Sequence, residues 1–221
     1  MTPERIQSFL IFFPILIISI ALHEFAHCWM TDRLGDDTPR REGRITLNPL
    51  AHLDLMGTIM IVVSSLSGFG FGWGKSSPFN PSNFRNPARD RMLTAIAGPI
   101  SNILQSIAWA SLMLLLVPFT AQNWFNDAFI FCYIGVKINI TLAIFNLLPV
   151  YPLDGHHILS WLAPPSWRPV IDNPIWGFVF LFIVFSHFAD GIIYPVMDYA
   201  GNAVIFSVLG KSVLAFLFGH S

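Results

Sequence analysis

The sequence predicts an all-helical protein that crosses a membrane repeatedly, about five to six times counting its apolar runs. Three observations predict this. Of the 221 residues, 54% are hydrophobic and only 11% charged, whereas a soluble domain is about a quarter charged. Mean hydropathy is +0.60. Long apolar runs recur along the chain, each comparable with the roughly 20 residues that span a bilayer as a helix. A net charge of −1 without a basic stripe excludes a nucleic-acid-binding surface. Cys28 and Cys132 sit in apolar context and suggest neither a disulfide framework nor a thiolate metal site. No internal repeat divides the chain, which reads as one membrane-embedded domain over 1–221.

The first run, from about Ile6 to Met30, is a membrane helix with Pro14 as a kink point. Its start lacks the small-residue cleavage pattern of a signal peptide. Thr31 to Leu47 is a charged loop, followed by Asn48-Pro49-Leu50-Ala51-His52-Leu53-Asp54. The apolar stretch from Leu55 to Trp73 is long enough to resemble another span, but its texture differs. It is rich in β-branched residues, broken by Ser and Gly, and ends in alternating Phe69-Gly70-Phe71-Gly72-Trp73-Gly74. These are strand and turn signals. They predict a re-entrant, β-hairpin-like segment near 55–74 that dips into the membrane and returns. Lys75 to Arg91 is a basic, Pro-rich loop. Met92 to Phe119 and Asp127 to Leu148 are crossing helices. Two further apolar stretches, Ile175 to His187 and Ala203 to Phe218, form a helical tail over about 175–219. The core before it covers about 6–160.

The chemistry-bearing motif is His23-Glu24-Phe25-Ala26-His27. On a helix, positions i and i+4 share a face. Both imidazoles can therefore hold one metal ion while the intervening glutamate faces the same cavity. H-E-x-x-H is a zinc-hydrolase signature, with glutamate as general base toward water. Ionisable groups at membrane depth are costly, so three together argue for a site rather than for packing. Catalytic zinc usually takes three protein ligands. The open candidates for the third are His52, Asp54, Asp154, His156, His157, Asp190 and Asp198. Parity across the membrane chooses Asp154. If 92–119 and 127–148 each cross once and 55–73 does not, Asp154 returns to the face that carries His23 and His27. Non-helical backbone at that depth must line a cavity or be buried in protein. An unpaired strand edge there can hold an unwound substrate by main-chain hydrogen bonds, with Ser65, Phe69 and Phe71 as substrate-binding candidates. Lys and Arg concentrate in the 31–91 loop and are absent from 120–126, which orients the metal-bearing ends toward the cytoplasm.

Taken in order, His23-Glu24-Phe25-Ala26-His27, Asn48-Pro49-Leu50-Ala51-His52-Leu53-Asp54, Ala97-Gly98-Pro99-Ile100-Ser101-Asn102, and Asn146-Leu147-Leu148-Pro149 leading to Leu153-Asp154-Gly155 resemble the site-2 protease family of intramembrane zinc metalloproteases, in a small form without a PDZ domain. The resemblance covers residues 20 to 160. It implies one Zn2+ per chain held by His23, His27 and Asp154, with Glu24 activating water. It also implies that Asn146 and Asn102 position substrate or stabilise the oxyanion; the plainer role for either is hydrogen bonding between helices. Tyr151 stands where the family often has a second Pro. The implied substrates are single-span membrane proteins, such as an anti-sigma factor or another membrane-anchored regulator, cut within the bilayer of a bacterial inner membrane. Without a PDZ domain, substrate selection by a peptide-binding module would need a separate adaptor protein. His52 and Asp54 fit either a hydrogen-bonded loop pair or support for a ligand imidazole. His156 and His157 read as helix-start residues. The alternative from another class is a metal-ion transporter or channel using the same His/Glu/Asp set, although transport wants polar residues along a whole route.

Overall fold

The computed structural model describes the backbone of residues 3–67, 72–187, 191 and 193–218. Three long helices form its frame: α1 (Pro3–Arg33), α4 (Pro87–Leu116) and α5 (Phe125–Asn146). Between them lie α2 (Thr38–Arg41) and α3 (Leu55–Ser67). After them come α6 (Gly155–Leu162), α7 (Arg168–Ile171), α8 (Pro174–His187) and α9 (Tyr194–Phe218). Among the described residues there are three helices long and apolar enough to cross a membrane, within α1, α4 and α5. Five to six crossings were expected. The shorter apolar segment Pro174–Ile183, in the tail, accounts for part of the difference. Pro14 lies inside α1 without ending it.

The long helices pack through a continuous apolar seam. Ile15, Leu16 and Ile20 of α1 meet Ile61 of α3 and Ile138 of α5. On the other side of α5, Cys132, Val136 and Ile140 pack with Ala110 and Met113 of α4 and Ile205 and Leu209 of α9. Lys137 is tied across the same boundary, its Nζ donating to Asp198 Oδ1 at 2.6 Å and to Asn202 Oδ1 at 2.8 Å. Polar side chains inside the seam are paired. Asn102 Nδ2 donates to Asn139 Oδ1, and Asn139 Nδ2 donates to Ser19 Oγ and to the Gly135 carbonyl, each at 2.9 Å.

The strand reading of 55–74 is corrected over its first part, because Leu55–Ser67 is helical. The β-branched run favours strand when half-buried among partners. Here Asp54 starts a helix instead: its Oδ1 accepts the Gly57 N–H at 2.8 Å and its carbonyl accepts the Thr58 N–H at 2.8 Å. In apolar surroundings a helix satisfies its own backbone, which an unpaired strand cannot do. Thirteen residues rise about 20 Å, short of the roughly 30 Å hydrocarbon core. Phe69 and Phe71, with their share of the alternating motif, lie outside the described residues. The chain returns from α3 without helix over 72–80, with a single bridge between Leu53 and Gly74. Gly57 and Gly72 make this return possible. A Cβ at Gly57 would stand 2.0 Å from the Trp73 carbonyl, and one at Gly72 would stand 2.1 Å from Ile61.

The loops on this side are latched to one another. The buried Arg44 donates to the carbonyls of Lys75 at 2.6 Å and Ser76 at 3.3 Å. His52 Nε2 donates to the nearby Thr46 carbonyl at 2.8 Å, and among the described residues no hydrogen bond joins it to His23 or His27. Asp36, fully buried, accepts from the Thr38 N–H and hydroxyl, the Asn80 N–H and the Asn83 amide at 2.5–3.1 Å. Burial pushes its carboxyl up, but these donors hold it below the ordinary value of 3.8. Since the folded form binds its proton less readily, the Asp36 contribution is present above pH 3.8 and is lost as pH falls below it. Asp36→Ala should cost about 2–4 kcal/mol in unfolding of the detergent-solubilised protein at neutral pH. The deficit relative to wild type should shrink in acid.

Candidate metal centre and active-site cavity

The site begins with two helices lying antiparallel. On α1, His23 and His27 are one turn apart; on α4, Thr94, Gly98 and Asn102 repeat every four residues and face them. His27 Nδ1 lies 2.7 Å from the Thr94 carbonyl and His23 Nδ1 lies 2.6 Å from Asn102 Oδ1. Both partners can only accept, so each Nδ1 carries the proton and each Nε2 presents a lone pair. Gly98 is what lets the helices come this close. A Cβ there would stand 2.3 Å from His27 Nε2 and 2.6 Å from His23 Cε1. The neighbouring Pro99 has no N–H to give the Ala95 carbonyl, yet α4 continues through it.

The third side chain comes from the turn after α5. Gly155 allows this turn to close, since a Cβ at that position would meet the Leu147 and Leu148 carbonyls at 2.3 and 2.4 Å. Asp154 at the start of α6 then faces both imidazoles. Its Oδ2 lies 3.2 Å from His23 Nε2 and 3.3 Å from His27 Nε2, and the two Nε2 atoms are 3.0 Å apart. Three acceptors brought together out of water repel one another unless a cation lies between them. Ligand bonds of about 2.0–2.1 Å in tetrahedral geometry place ligand atoms about 3.3 Å apart, close to the spacing seen here. The residues therefore fit zinc, with His23, His27 and Asp154 as its holders.

A cavity of about 660 Å³ opens beside this cluster. Glu24 lines it, half-buried, with no hydrogen bond or ion pair to any described residue. Gly74 of the returning segment passes against it, where a Cβ would sit 3.1 Å from Glu24 Cγ and 2.7 Å from Ile20. Asn146, the last residue of α5, also lines the cavity. One of its amide hydrogens goes to the Leu142 carbonyl at 2.9 Å, leaving the other for the cavity. Asn102 is fully buried behind His23 and does not line the cavity. Instead of lining the cavity, it meets the imidazole of His23 from behind. Ser65 lies on α3, away from the cavity lining. His156 contacts the Leu153 carbonyl at 3.3 Å. His157 lines the cavity, where burial, His156 and Arg91 press its pKa down to about 4. Gly98, Gly74 and the Thr94 carbonyl were not assigned roles from sequence. The glycines gave one signal, their place within apolar runs near ionisable residues.

Comparison with known proteins places this geometry. A family profile described as Peptidase family M50 matches residues 114–186. "Putative zinc metalloprotease YwhC" of Bacillus subtilis is 35% identical over 208 residues, covering 90% of this chain and 92% of its own length. "Putative zinc metalloprotease Rip2" of Mycobacterium tuberculosis is 29% identical over 206 residues, 90% of this chain and 77% of that protein. "Putative zinc metalloprotease MJ0611" of Methanocaldococcus jannaschii is 35% identical over 91 residues, 41% of this chain and 43% of that protein. No solved structure matches significantly. The chain belongs to peptidase family M50, the site-2 protease family of zinc metalloproteases.

Gly98→Ala should abolish stoichiometric zinc binding, read by metal analysis of the purified protein. Asn102→Ala should leave the fold assembled but weaken zinc retention about 10–100-fold in chelator competition.

Proposed function

We propose that this protein is an intramembrane endopeptidase that hydrolyses a peptide bond within or near the transmembrane segment of single-span membrane proteins. The observation that carries the reading is the unpaired Glu24 carboxylate, in one cavity with the His23, His27 and Asp154 cluster, at the ends of apolar helices. Bound to that cluster, zinc supplies Lewis-acid chemistry, polarising a carbonyl and acidifying water. Glu24 takes the proton from the attacking water and passes it to the leaving amine nitrogen. Asn146 donates its free amide hydrogen to the carbonyl oxygen as charge develops there. Asn102 and Thr94 hold the imidazoles in one tautomer throughout.

The substrate must be unwound before it can be cut. The returning segment 72–77 runs along the cavity, and Gly72, Trp73, Gly74, Ser76 and Ser77 all line it. The Lys75 N–H is bonded to the His52 carbonyl, and the Lys75 and Ser76 carbonyls to Arg44; an extended peptide would pair with backbone groups elsewhere in the segment. With α3 it would make a re-entrant unit of helix and irregular return segment. At 25 residues, α9 is long enough to form a fourth crossing, whereas α8, at 14 residues, is nearly as short as α3. The basic 31–91 loop and active site face the cytoplasm of an inner membrane. Substrates of the anti-sigma-factor kind, and a separate adaptor that selects them, fit this arrangement.

Glu24→Gln should keep zinc and lose cleavage. Comparing the membrane proteomes of cells expressing wild type and Glu24→Gln should reveal full-length substrates that accumulate in the variant. Altered metal flux with no such accumulation would favour a transporter instead. Asn146→Ala should lower kcat about 10²-fold with zinc content unchanged. Gly74→Val should crowd Glu24 and reduce cleavage while zinc stays bound.

A further inference from the structure

Three residues that line the cavity take no part in holding metal: Phe79, Arg91 and His157. Arg91 stands on α4 one turn before Thr94, whose carbonyl fixes His27. His157 stands on α6 one turn after Asp154. Each is therefore displaced by about 5 Å along its helix from a residue that sets the metal cluster. Phe79 comes from the irregular segment that returns from α3 and touches both. The guanidinium carbon of Arg91 lies 5.8 Å from its ring centroid, and the His157 ring meets it edge-on at 6.4 Å.

Arg91 lacks an anionic partner. Among the described residues it makes no ion pair and no hydrogen bond, and its Nε–H is buried without an acceptor. Four other cations are paired: Arg40 with Asp32, Arg41 with Asp37, Arg89 with Asp90, and Lys137 with Asp198. The buried Arg44 is met by two carbonyls. His157 Nδ1 is also buried and unpartnered. Two unsatisfied polar groups on one wall of a reaction cavity are costly until a ligand reaches them.

We propose that Arg91, seated on Phe79 beside His157, binds a carboxylate of the peptide substrate. This rests on the proteolytic reading above and adds a specificity determinant to it. A guanidinium takes a carboxylate through two parallel hydrogen bonds, and the Phe79 face fixes its plane. An extended peptide advances about 3.3 Å per residue, so the carboxylate lies within two residues of the scissile bond. It belongs to an Asp or Glu side chain or to the substrate's own C-terminus.

The test uses full-length, zinc-loaded enzyme in detergent and synthetic peptides built on any fragment cut in a Glu24-dependent manner. Each of the two positions on either side of the cut carries Glu or Gln in turn, and the C-terminus is free or amidated. Wild type should cleave one carboxylate-bearing member about tenfold or more faster than its amide counterpart. The member preferred tells side chain from terminus. Arg91→Gln should level that difference, and Arg91→Lys should keep part of it. The Glu-against-Gln comparison in wild type needs no enzyme variant, so a poorly folded Arg91→Gln does not blur the result. Equal cleavage of all members, or a preference that survives in Arg91→Gln, overturns the proposal. Rates that follow anionic phospholipid and ignore peptide charge assign Arg91 to a lipid headgroup and also overturn it. Absence of any Glu24-dependent cut fragment overturns the proteolytic reading itself, and this proposal with it.

Discussion

Everything at this site depends on how closely α1 and α4 approach. Because Gly98 has no side chain, the backbone of α4 passes directly beneath both imidazoles, within reach of His27 Nε2 and His23 Cε1. That approach brings Thr94 and Asn102 to the two Nδ1 atoms. With the Nδ1 positions committed, the Nε2 lone pairs have one direction left, toward Asp154. A methyl group at 98 would separate the helices and undo all of this at once.

The same economy governs the rest of the cavity. Gly155 lets the turn after α5 fold against the Leu147 carbonyl, which carries Asp154 to the imidazoles. Gly74 lets an extended chain slide past Glu24. Backbone thus comes near each reacting group, where side chains would fill the space that a substrate needs. Loops on this face could easily drift; Arg44 and Asp36 latch them with charge-assisted hydrogen bonds, each roughly twice as strong as a neutral one.

The spacing of His23, Glu24 and His27 is visible in sequence because helical geometry alone puts both His on one face. Asp154 was chosen by counting crossings, a choice consistent with α4 and α5 being long and apolar enough to cross and α3 being too short. The helical state of 55–67 was not legible: Ile59, Ile61, Val62 and Val63 favour strand locally, and the Asp54 cap that decides otherwise works only where no strand partner is present. Asn102 was singled out, but a one-dimensional motif does not say that its amide meets His23 on one side and Asn139 on the other. Arg91 sat unnoticed at the end of a basic loop, where its lack of a partner is a three-dimensional fact. The tail gave helices as expected, with α9 broken at Gly210, where φ is 75°.

The buried amide line behind His23 also limits what can move through the bundle. It runs from His23 to Asn102, Asn139 and then Ser19 and the Gly135 carbonyl, crossing all three long helices. Each amide accepts through oxygen and donates through nitrogen in one fixed sense, and a carboxamide does not readily give up a proton. The line is accordingly a strut and not a wire. It braces the imidazole against displacement while insulating it from the far half of the membrane. Among the described residues, the polar opening beside the centre is the cavity that Glu24 lines, and the amides and hydroxyl behind His23 add no group that titrates near neutral pH.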